Sequence, residues 1–290
     1  MNRRPWRLVR ALLVLLILPG ATAIDVDAAM AFLDDAPANA YQVEAALAAR
    51  HDPRAWPAEP ALSGLRIPEG GGIGPLRALV AAAAAGAQHV DGVAVADRIA
   101  ANHDAALASS NDAALAFQIH AWLLVGQDGP EVDALATRLA TLHDDGLWAC
   151  GGAVRGIECT GYAATALHAA GHSLPDATRG AAMALQNEAG GFGASAGCPG
   201  GDTQQTAWGL QVLRVLGQDE ERARGALAAN QRPDGGFCRA HASDAWATQE
   251  AVVAWQGTYP PRLDPGPAPS NAVAWTLVAL MAGAVLLRRP

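Results

Sequence analysis

The chain has 290 residues, of which 51% are hydrophobic but only 5% aromatic, and its formal net charge is −8. The length is sufficient for one sizeable hydrophobic core. The acidic balance argues against nucleic acid and anionic lipid headgroups as partners. Alanine supplies much of the hydrophobic excess, and because alanine is the strongest helix former we expect an all-α fold.

Residues 1–23 have the pattern of a secretory signal peptide. A basic start precedes the apolar run 11–18, and Ala21-Thr22-Ala23 supplies a small-residue cleavage site. The alternative is an uncleaved anchor, but the apolar run is short for a membrane span. We therefore predict an exported protein whose mature chain starts at Ile24.

The segment 24–257 is predicted to be one helical domain. Its alanine-rich runs, such as 76–87 and 131–142, lack clusters of β-branched residues. The glycine-rich stretch 70–75 follows no predicted strand and lacks the lysine of a phosphate-binding loop. We interpret this stretch as a flexible connection.

An internal repeat is the main signal in this domain. Residues 179–192 align without a gap with residues 224–237, and a weaker copy occupies residues 144–148. The shared motif consists of Gln186, Gly190, Gly191 and Phe192 in the first copy and of Gln231, Gly235, Gly236 and Phe237 in the second. Asp234 precedes the glycines in the second copy, where the first copy has Ala189.

A second pattern follows each of these turns and ends in a glycine. It occurs in the segments 115–126, 160–171 and 206–217. Gly86 and Gly257 are predicted to close two further units, since glycine commonly terminates a helix. Asp202 and Asp244 lie where the N-caps of the second helices are expected. The period near 45 residues predicts about five stacked helical hairpins, because one hairpin cannot bury its own apolar face.

The Gln-x-x-Asp-Gly-Gly-Phe stretch at 231–237 resembles the repeat motif of the squalene-cyclase and protein-prenyltransferase superfamily, and 186–192 is a second copy. The resemblance covers roughly residues 113–257. It implies an α/α toroid, in which inner and outer helices surround a central cavity and the Gly-Gly-Phe turns share one pole. Five hairpins are fewer than a closed toroid usually has, so a partial barrel stays open as an alternative.

The chain has four cysteines, an even number that indicates two disulfides in an exported protein. Three pairings exist, and free buried thiols are the alternative. The toroid resemblance places Cys198 and Cys238 after equivalent turns of neighbouring repeats, and Cys150 and Cys159 within one loop. It therefore implies the pairs Cys150–Cys159 and Cys198–Cys238.

The catalytic signatures of the superfamily do not match this sequence. Class II terpene cyclases use an Asp-x-Asp-Asp acid, whereas Asp25 and Asp27 lack the last acid of that motif. Protein prenyltransferases hold zinc with aspartate, cysteine and histidine. His168 and His172 have a chelating spacing, but Gly171 between them is expected to end the helix. These departures favour a non-catalytic domain, and we predict neither a metal nor a cofactor.

Three aromatic residues, Phe117, Tyr162 and Trp208, each precede a closing glycine by nine positions. The resemblance places them in successive inner helices, where such residues line the cavity and contact apolar ligands. The alternative is that they pack one hairpin against the next. Trp246, Gln249 and Glu250 in the last repeat face the same choice.

The C-terminal region has two further parts. Residues 258–270 form a proline-rich linker, and residues 271–290 form a transmembrane anchor or sorting tail. Arg288 and Arg289 follow the uncharged run 272–287 and fit a cytoplasmic end. Permanent anchorage and removal of the tail both stay open. Without the two targeting segments, fourteen arginines face 28 acidic residues, so the outer domain is strongly acidic.

The sequence thus predicts an exported surface protein, anchored in the membrane by its C-terminal helix. We expect its repeat domain to be a non-catalytic module that binds an apolar or peptide ligand or another surface partner, and no nucleic acid. A divergent prenyltransferase or cyclase is the first alternative, favoured by a buried acid beside the aromatic residues. A structural spacer is the second alternative, favoured by an interior filled with side chains.

Overall fold

The computed structural model describes residues 23–34, 40–49, 72–90, 92–152, 155–257 and 259–261. Within these ranges the chain contains eleven helices and two short β-hairpins, which confirms the all-α class. The helices are α1 (Val26–Asp34), α2 (Ala40–Ala48), α3 (Ile73–Ala84), α4 (Val95–Leu107), α5 (Asp112–Leu124), α6 (Pro130–Ala140), α7 (Ile157–Ala169), α8 (Ala177–Ala184), α9 (Thr203–Val215), α10 (Glu221–Ala229) and α11 (Ala245–Gln256).

The two hairpins are antiparallel and connect helices. Strands β1 (His89–Val90) and β2 (Val93–Ala94) join α3 to α4. Strands β3 (Phe237–Arg239) and β4 (Ala242–Asp244) join α10 to α11.

Six helices, α2, α3, α5, α7, α9 and α11, pack in cyclic order. Each contacts the next, and α11 contacts α2, so the described helices form a closed inner ring. The expectation of about five hairpins, with a partial barrel left open, therefore needs correction to six inner helices in a closed ring. Helices α1, α4, α6, α8 and α10 pack on the outside of this ring.

The difference between inner and outer helices follows from their side chains. In α5 every residue from Asp112 to Ala121 is buried, as expected for a helix that is surrounded on all sides. In α6 the buried residues are spaced three or four apart on a single face, namely Val132, Leu135, Ala136 and Leu139. The side chains of an inner helix such as α5 are thus buried on all sides, whereas an outer helix such as α6 buries one face.

The repeat motif builds a turn that is tied to the following inner helix. Gly235 has a positive φ of 88°, and the Gln231 Nε2 donates to its carbonyl oxygen at 3.1 Å. The Phe237 ring is fully buried, and its backbone N–H donates to Thr248 Oγ1 in α11 at 2.8 Å. The glutamine and the aromatic residue of the motif therefore hold the turn rather than a ligand.

The copy at 186–192 makes the same two bonds, and the weaker copy at 144–148 makes the second of them. Gln186 Nε2 donates to the Gly190 carbonyl at 2.7 Å, and Phe192 N donates to Thr206 Oγ1 at 3.0 Å. Trp148 is also fully buried, and its backbone N–H donates to Thr160 Oγ1 at 3.2 Å. The weaker third copy thus forms an equivalent turn, and the turns share the pole at which the inner helices begin.

The acidic position of the motif has a local role. Asp234 Oδ1 accepts from Gly236 N at 3.1 Å and from Ser243 Oγ at 2.7 Å. In the copy that lacks this aspartate, Asn187 Oδ1 accepts from Gly191 N at 3.0 Å instead. The amide therefore compensates for the alanine at position 189.

The predicted helix ends are confirmed with one exception. Asp202 and Asp244 accept from the backbone N–H groups of residues 205 and 247, at 2.9 and 2.8 Å. The closing glycines 86, 126, 171 and 217 have positive φ angles of 73°, 79°, 76° and 62°. Gly257 also ends α11 as predicted, and the exception is its conformation alone, because its φ of 176° is extended.

Both implied disulfides are present: Cys150 is bonded to Cys159, and Cys198 is bonded to Cys238. The second bond links the turn before α9 to β3, and thereby joins two neighbouring repeats. Cysteine chemistry at these positions is therefore structural.

No helix within the described ranges is long and apolar enough to cross a membrane. The predicted signal peptide lies outside the described residues except for Ala23, and the predicted anchor at 271–290 lies wholly outside them. Of the predicted linker, residues 259–261 are described.

Candidate functional site

The centre of the ring is occupied by one side chain from each inner helix. These are Glu44 from α2, Arg77 from α3, Phe117 from α5, Tyr162 from α7, Trp208 from α9 and Glu250 from α11, and all are buried. Arg77 precedes the closing Gly86 by nine positions, the spacing shared by the three aromatic residues. Glu250 follows Thr248 by two positions, as Tyr162 and Trp208 follow Thr160 and Thr206. The cluster is thus one layer of equivalent positions around the ring.

Arg77 connects three helices through charged hydrogen bonds. Its Nε and Nη2 donate to Glu44 Oε2 at 3.0 and 2.8 Å, and its Nη1 donates to Glu250 Oε1 at 2.7 Å. The arginine and both carboxylates are at most 2% exposed. Such a buried group is stable only when its charges are paired, because desolvation of a lone charge is very unfavourable.

The protonation of this cluster follows from burial and pairing. Burial opposes the charge of the Arg77 guanidinium, but the carboxylates of Glu44 and Glu250 outweigh it and hold its pKa well above the ordinary value. Burial raises the pKa of Glu44 although Arg77 and Tyr259 act in the opposite direction. Arg77 therefore carries a permanent positive charge between the two acidic side chains.

The three predicted aromatic residues meet in this layer. The ring centroids of Phe117 and Tyr162 are 5.0 Å apart, and those of Tyr162 and Trp208 are 4.3 Å apart. The Arg77 guanidinium carbon lies 5.7 Å from the Phe117 ring and 5.8 Å from the Trp208 ring, within range of a cation–π interaction. The aromatics pack against one another and against an arginine rather than around an open cavity.

A further aromatic residue enters the cluster from outside the helices. Tyr259, which follows α11, is 3% exposed, and its hydroxyl donates to Glu44 Oε1 at 2.7 Å. Its ring lies 5.2 Å from both His120 and Trp208 and 6.1 Å from Phe117. Tyr259 thus closes the end of the ring at which the inner helices terminate.

At the opposite end, one turn before the central layer, polar groups approach the acidic side chains. Trp246 Nε1 donates to Glu250 Oε1 at 3.1 Å, and Gln204 Nε2 lies 3.4 Å from Glu250 Oε2. The Tyr162 hydroxyl donates to Glu158 Oε1 at 2.6 Å. Trp246 is 37% exposed, so it covers the central layer rather than lining a cavity.

Burial and neighbouring charge affect both members of this hydrogen-bonded pair. Burial, and next the carboxylate of Glu250, raise the pKa of Glu158 above its ordinary value. The same two causes raise the pKa of Tyr162 well above its ordinary value, so its hydroxyl stays a donor.

One small cavity lies within the described part of the ring interior. The cavity between α9 and α11 has a volume of about 10 Å³ and is lined by Arg77, Trp208, Gln211 and Glu250, among others. This volume holds about one water molecule. The Trp208 indole N–H has no hydrogen-bond partner in the described part of the chain. An isoprenoid or another bulky apolar ligand does not fit in this space.

The histidines considered as metal ligands lie elsewhere. His168 is exposed near the end of α7, and His172 lies beyond that end with its Nε2 3.9 Å from Asp133 Oδ1. Both line an open surface groove of about 760 Å³ beside α8 and α9. Among the described residues, no three histidine, cysteine or acidic side chains are grouped so that they could hold a metal ion.

Three members of the central cluster, Arg77, Glu44 and Tyr259, were not anticipated from the sequence. Arg77 has the nine-residue spacing to Gly86 that marks the inner aromatics, and this signal could have identified it. Glu44 lies in a helix that carries no recognisable turn motif. Tyr259 lies beyond the last repeat, so the repeat period could not identify it.

Comparisons with known proteins add no name to this arrangement. No protein-family model matches the chain, and no curated protein matches it significantly.

Proposed function

We propose that this protein is a non-catalytic module displayed outside the membrane, and that its ring is a rigid scaffold. The observation that carries the proposal is that Arg77, its two carboxylates and the aromatic side chains are buried together at the centre of the ring, and the cavity beside them measures only about 10 Å³. Such an interior supports the scaffold reading over an apolar ligand held in the ring. A partner would then contact the outer surface or one of the poles.

The proposed family is the squalene-cyclase and protein-prenyltransferase superfamily. The closed ring of six inner helices and the turns at the pole where these helices begin support an α/α toroid. The two disulfides fit an exported domain, since such bonds persist in oxidising compartments. The basic N-terminal segment and the proline-rich, then apolar C-terminal segment support export and anchorage.

One observation favours a second candidate function, a divergent enzyme of this superfamily. Glu158 is a partly buried acid with a raised pKa beside the aromatic residues, and it accepts from the Tyr162 hydroxyl at 2.6 Å. A protonated carboxyl group in such a position is a potential general acid. The packing of the central layer argues against this role, because Tyr162, the hydrogen-bond partner of Glu158, is buried against the rings of Phe117 and Trp208.

Native mass spectrometry of the oxidised outer domain, residues 24–270, purified from its own host, tests the proposal. We expect a mass four hydrogens below that of the reduced sequence, with neither an adduct nor a co-purified molecule. A bound apolar molecule would contradict the filled ring and favour the enzyme. A zinc adduct would contradict the non-catalytic assignment as well.

A further inference from the structure

The chain leaves the ring through a short segment, Gly257 and residues 259–261, which we term the C-terminal strap. Gln211 holds it on both sides of residue 258: its Nε2 donates to the Gly257 carbonyl at 2.9 Å, and its Oε1 accepts from Tyr259 N at 3.2 Å. Arg214 Nη1 also donates to the Gly257 carbonyl. The strap is therefore fastened to α9 by side chains of a single helix face.

The Tyr259 side chain occupies a place that the inner helices leave open. Its ring is surrounded by the rings of Phe117, His120 and Trp208, at centroid distances of 5.2 to 6.1 Å. The Arg77 guanidinium carbon lies 5.8 Å from the centroid of the same ring. The walls thus combine aromatic faces and edges with one cation, a setting suited to a flat aromatic ring.

The base of this place is a carboxylate. Glu44 Oε1 accepts from the Tyr259 hydroxyl at 2.7 Å, while Oε2 of the same group is engaged by Arg77. An occupant therefore needs a hydrogen-bond donor on the far side of its ring. A phenol meets both requirements, because it has a planar apolar body and an O–H donor.

We propose that the ring interior contains a phenol-binding pocket, with Tyr259 as its intramolecular ligand and the C-terminal strap as its gate. The pocket is formed by Phe117, His120, Trp208, Arg77 and Glu44. This inference rests on the proposed function, in which the ring interior is filled. In the resting protein Tyr259 is the side chain that fills the phenol-binding pocket. Withdrawal of the strap opens a site for a phenolic ligand, including the tyrosine side chain of a peptide.

The strap also connects the ring to the predicted C-terminal anchor. The strap is followed by the prolines 265, 267 and 269 and by the uncharged run 272–287. A force on an anchored tail, or removal of that tail, would act on Tyr259 before it acts on any helix of the ring. The gate is thus the point at which the predicted anchor and the ring interior are linked.

The test measures binding of 4-methylphenol, which is the tyrosine side chain without its backbone, to the full-length chain in detergent. We expect Tyr259→Ala to bind it about 100-fold more tightly than the natural chain, because the apparent affinity of a closed site is reduced by its open fraction. Toluene, which lacks the hydroxyl, should bind Tyr259→Ala about tenfold more weakly than 4-methylphenol. Tyr259→Phe keeps the ring in place and should bind no better than the natural chain.

A second pair of variants keeps Tyr259 and tests the gate itself. Gln211→Ala removes the side chain that holds the strap, and it should raise the affinity for 4-methylphenol by about tenfold through a larger open fraction. Gln118→Ala is the matched control, because Gln118 is an equally buried glutamine that donates to the Ile99 carbonyl, away from the strap. It should leave the affinity unchanged.

Two results would overturn the gate. One is a natural chain that binds 4-methylphenol as tightly as Tyr259→Ala, and the other is a folded Tyr259→Ala that binds neither compound. If circular dichroism shows that Tyr259→Ala is unfolded, the comparison of Gln211→Ala with Gln118→Ala decides, and equal affinities reject the gate. Such failures leave the non-catalytic scaffold intact, since that proposal is contradicted by a co-purified molecule or metal instead.

Discussion

Each motif turn depends on one threonine hydroxyl of the following inner helix. Thr248 Oγ1 accepts from the buried N–H of Phe237 at 2.8 Å and donates to the Asp244 carbonyl at 2.7 Å. The hydroxyl therefore satisfies a backbone donor that has no access to water. Its equivalents, Thr160 and Thr206, have the same role in the other two turns.

We predict that Thr248→Val destabilises the domain by about 1–3 kcal/mol, because it leaves the Phe237 N–H buried without an acceptor. Valine has nearly the same shape as threonine, so the loss reports the hydrogen bond rather than a cavity. Thr248→Ser keeps the hydroxyl and is the matched control. Urea unfolding of the three proteins measures the difference, and a loss in the serine variant without a loss in the valine variant would assign the effect to the methyl group.

A second residue-scale prediction concerns Glu158, whose pKa is raised above its ordinary value of 4.5 by burial and by Glu250. A raised pKa means that the folded chain binds the proton more tightly, so the contribution of Glu158 is most favourable below the ordinary value. It is lost as the pH rises through the folded pKa. Glu158→Gln should therefore stabilise the domain near neutral pH, and hardly at all at about pH 4.

Urea unfolding of the natural chain and of Glu158→Gln at about pH 4 and about pH 8 measures this dependence. Glu44 also has a raised pKa, but it is present in both proteins and does not enter the difference. Glu188→Gln alters an exposed carboxylate and should stay within about 0.5 kcal/mol at both pH values. A stabilisation by Glu158→Gln that is the same at both pH values would contradict the predicted linkage.

At the scale of the element, the helices end where a glycine adopts a left-handed conformation. Gly217 follows α9 with a φ of 62°, whereas Gly225 lies inside α10 with no atom within 4 Å of an added Cβ. We predict that Gly217→Ala destabilises the domain by about 1 kcal/mol, because L-residues resist this conformation. Gly225→Ala should stabilise it by about 1 kcal/mol, because alanine favours the helix interior.

Thermal unfolding of these two variants checks the prediction. The same change of glycine to alanine should lower the melting temperature at position 217 and raise it at position 225. Both substitutions add the same methyl group, so the added volume cancels in the comparison. A destabilisation by both would mean that α10 resists alanine for a reason other than backbone conformation.

Many of the helices, their ends and their connections could be predicted from the sequence. The 45-residue repeat and the caps at Asp202 and Asp244 were found because they arise from local or periodic features, and the toroid resemblance implied both disulfide pairs. Gly257 was also predicted correctly as the residue that closes α11. Its spacing fits the period, but its extended backbone is set by the strap, which Gln211 holds from another repeat.

In the whole molecule, side chains at the centre of the ring connect its first inner helix, α2, with its last, α11. We call this junction the seam. Arg77 in α3 binds Glu44 in α2 and Glu250 in α11, and Tyr259 reaches Glu44 from beyond α11. The seam therefore connects residues that are separated by 173 and 215 positions in the chain. Closure of the ring and neutralisation of the buried charges are one event.

We predict that Arg77→Met destabilises the domain by about 3–5 kcal/mol, because it leaves two carboxylates buried without a cation. The triple variant Arg77→Met, Glu44→Gln, Glu250→Gln removes the lone charges and should recover most of this loss. Urea unfolding of both variants tests the expectation. If the triple variant is no more stable than Arg77→Met, the role of Arg77 is packing and not charge.

The resemblance implied the cysteine pairing, and the sequence by itself determined the helical class, the repeat and the turn chemistry. These follow from backbone propensity and periodic burial, which act over short or regular separations. Only the tertiary structure decided that the ring closes with six inner helices and that an arginine and Tyr259 fill its centre. The spacing placed the aromatic residues in successive inner helices. Whether they line a cavity depends on the side chains that face them across the ring. The opposing charges and the strap come from distant parts of the chain, and no local pattern encodes their meeting.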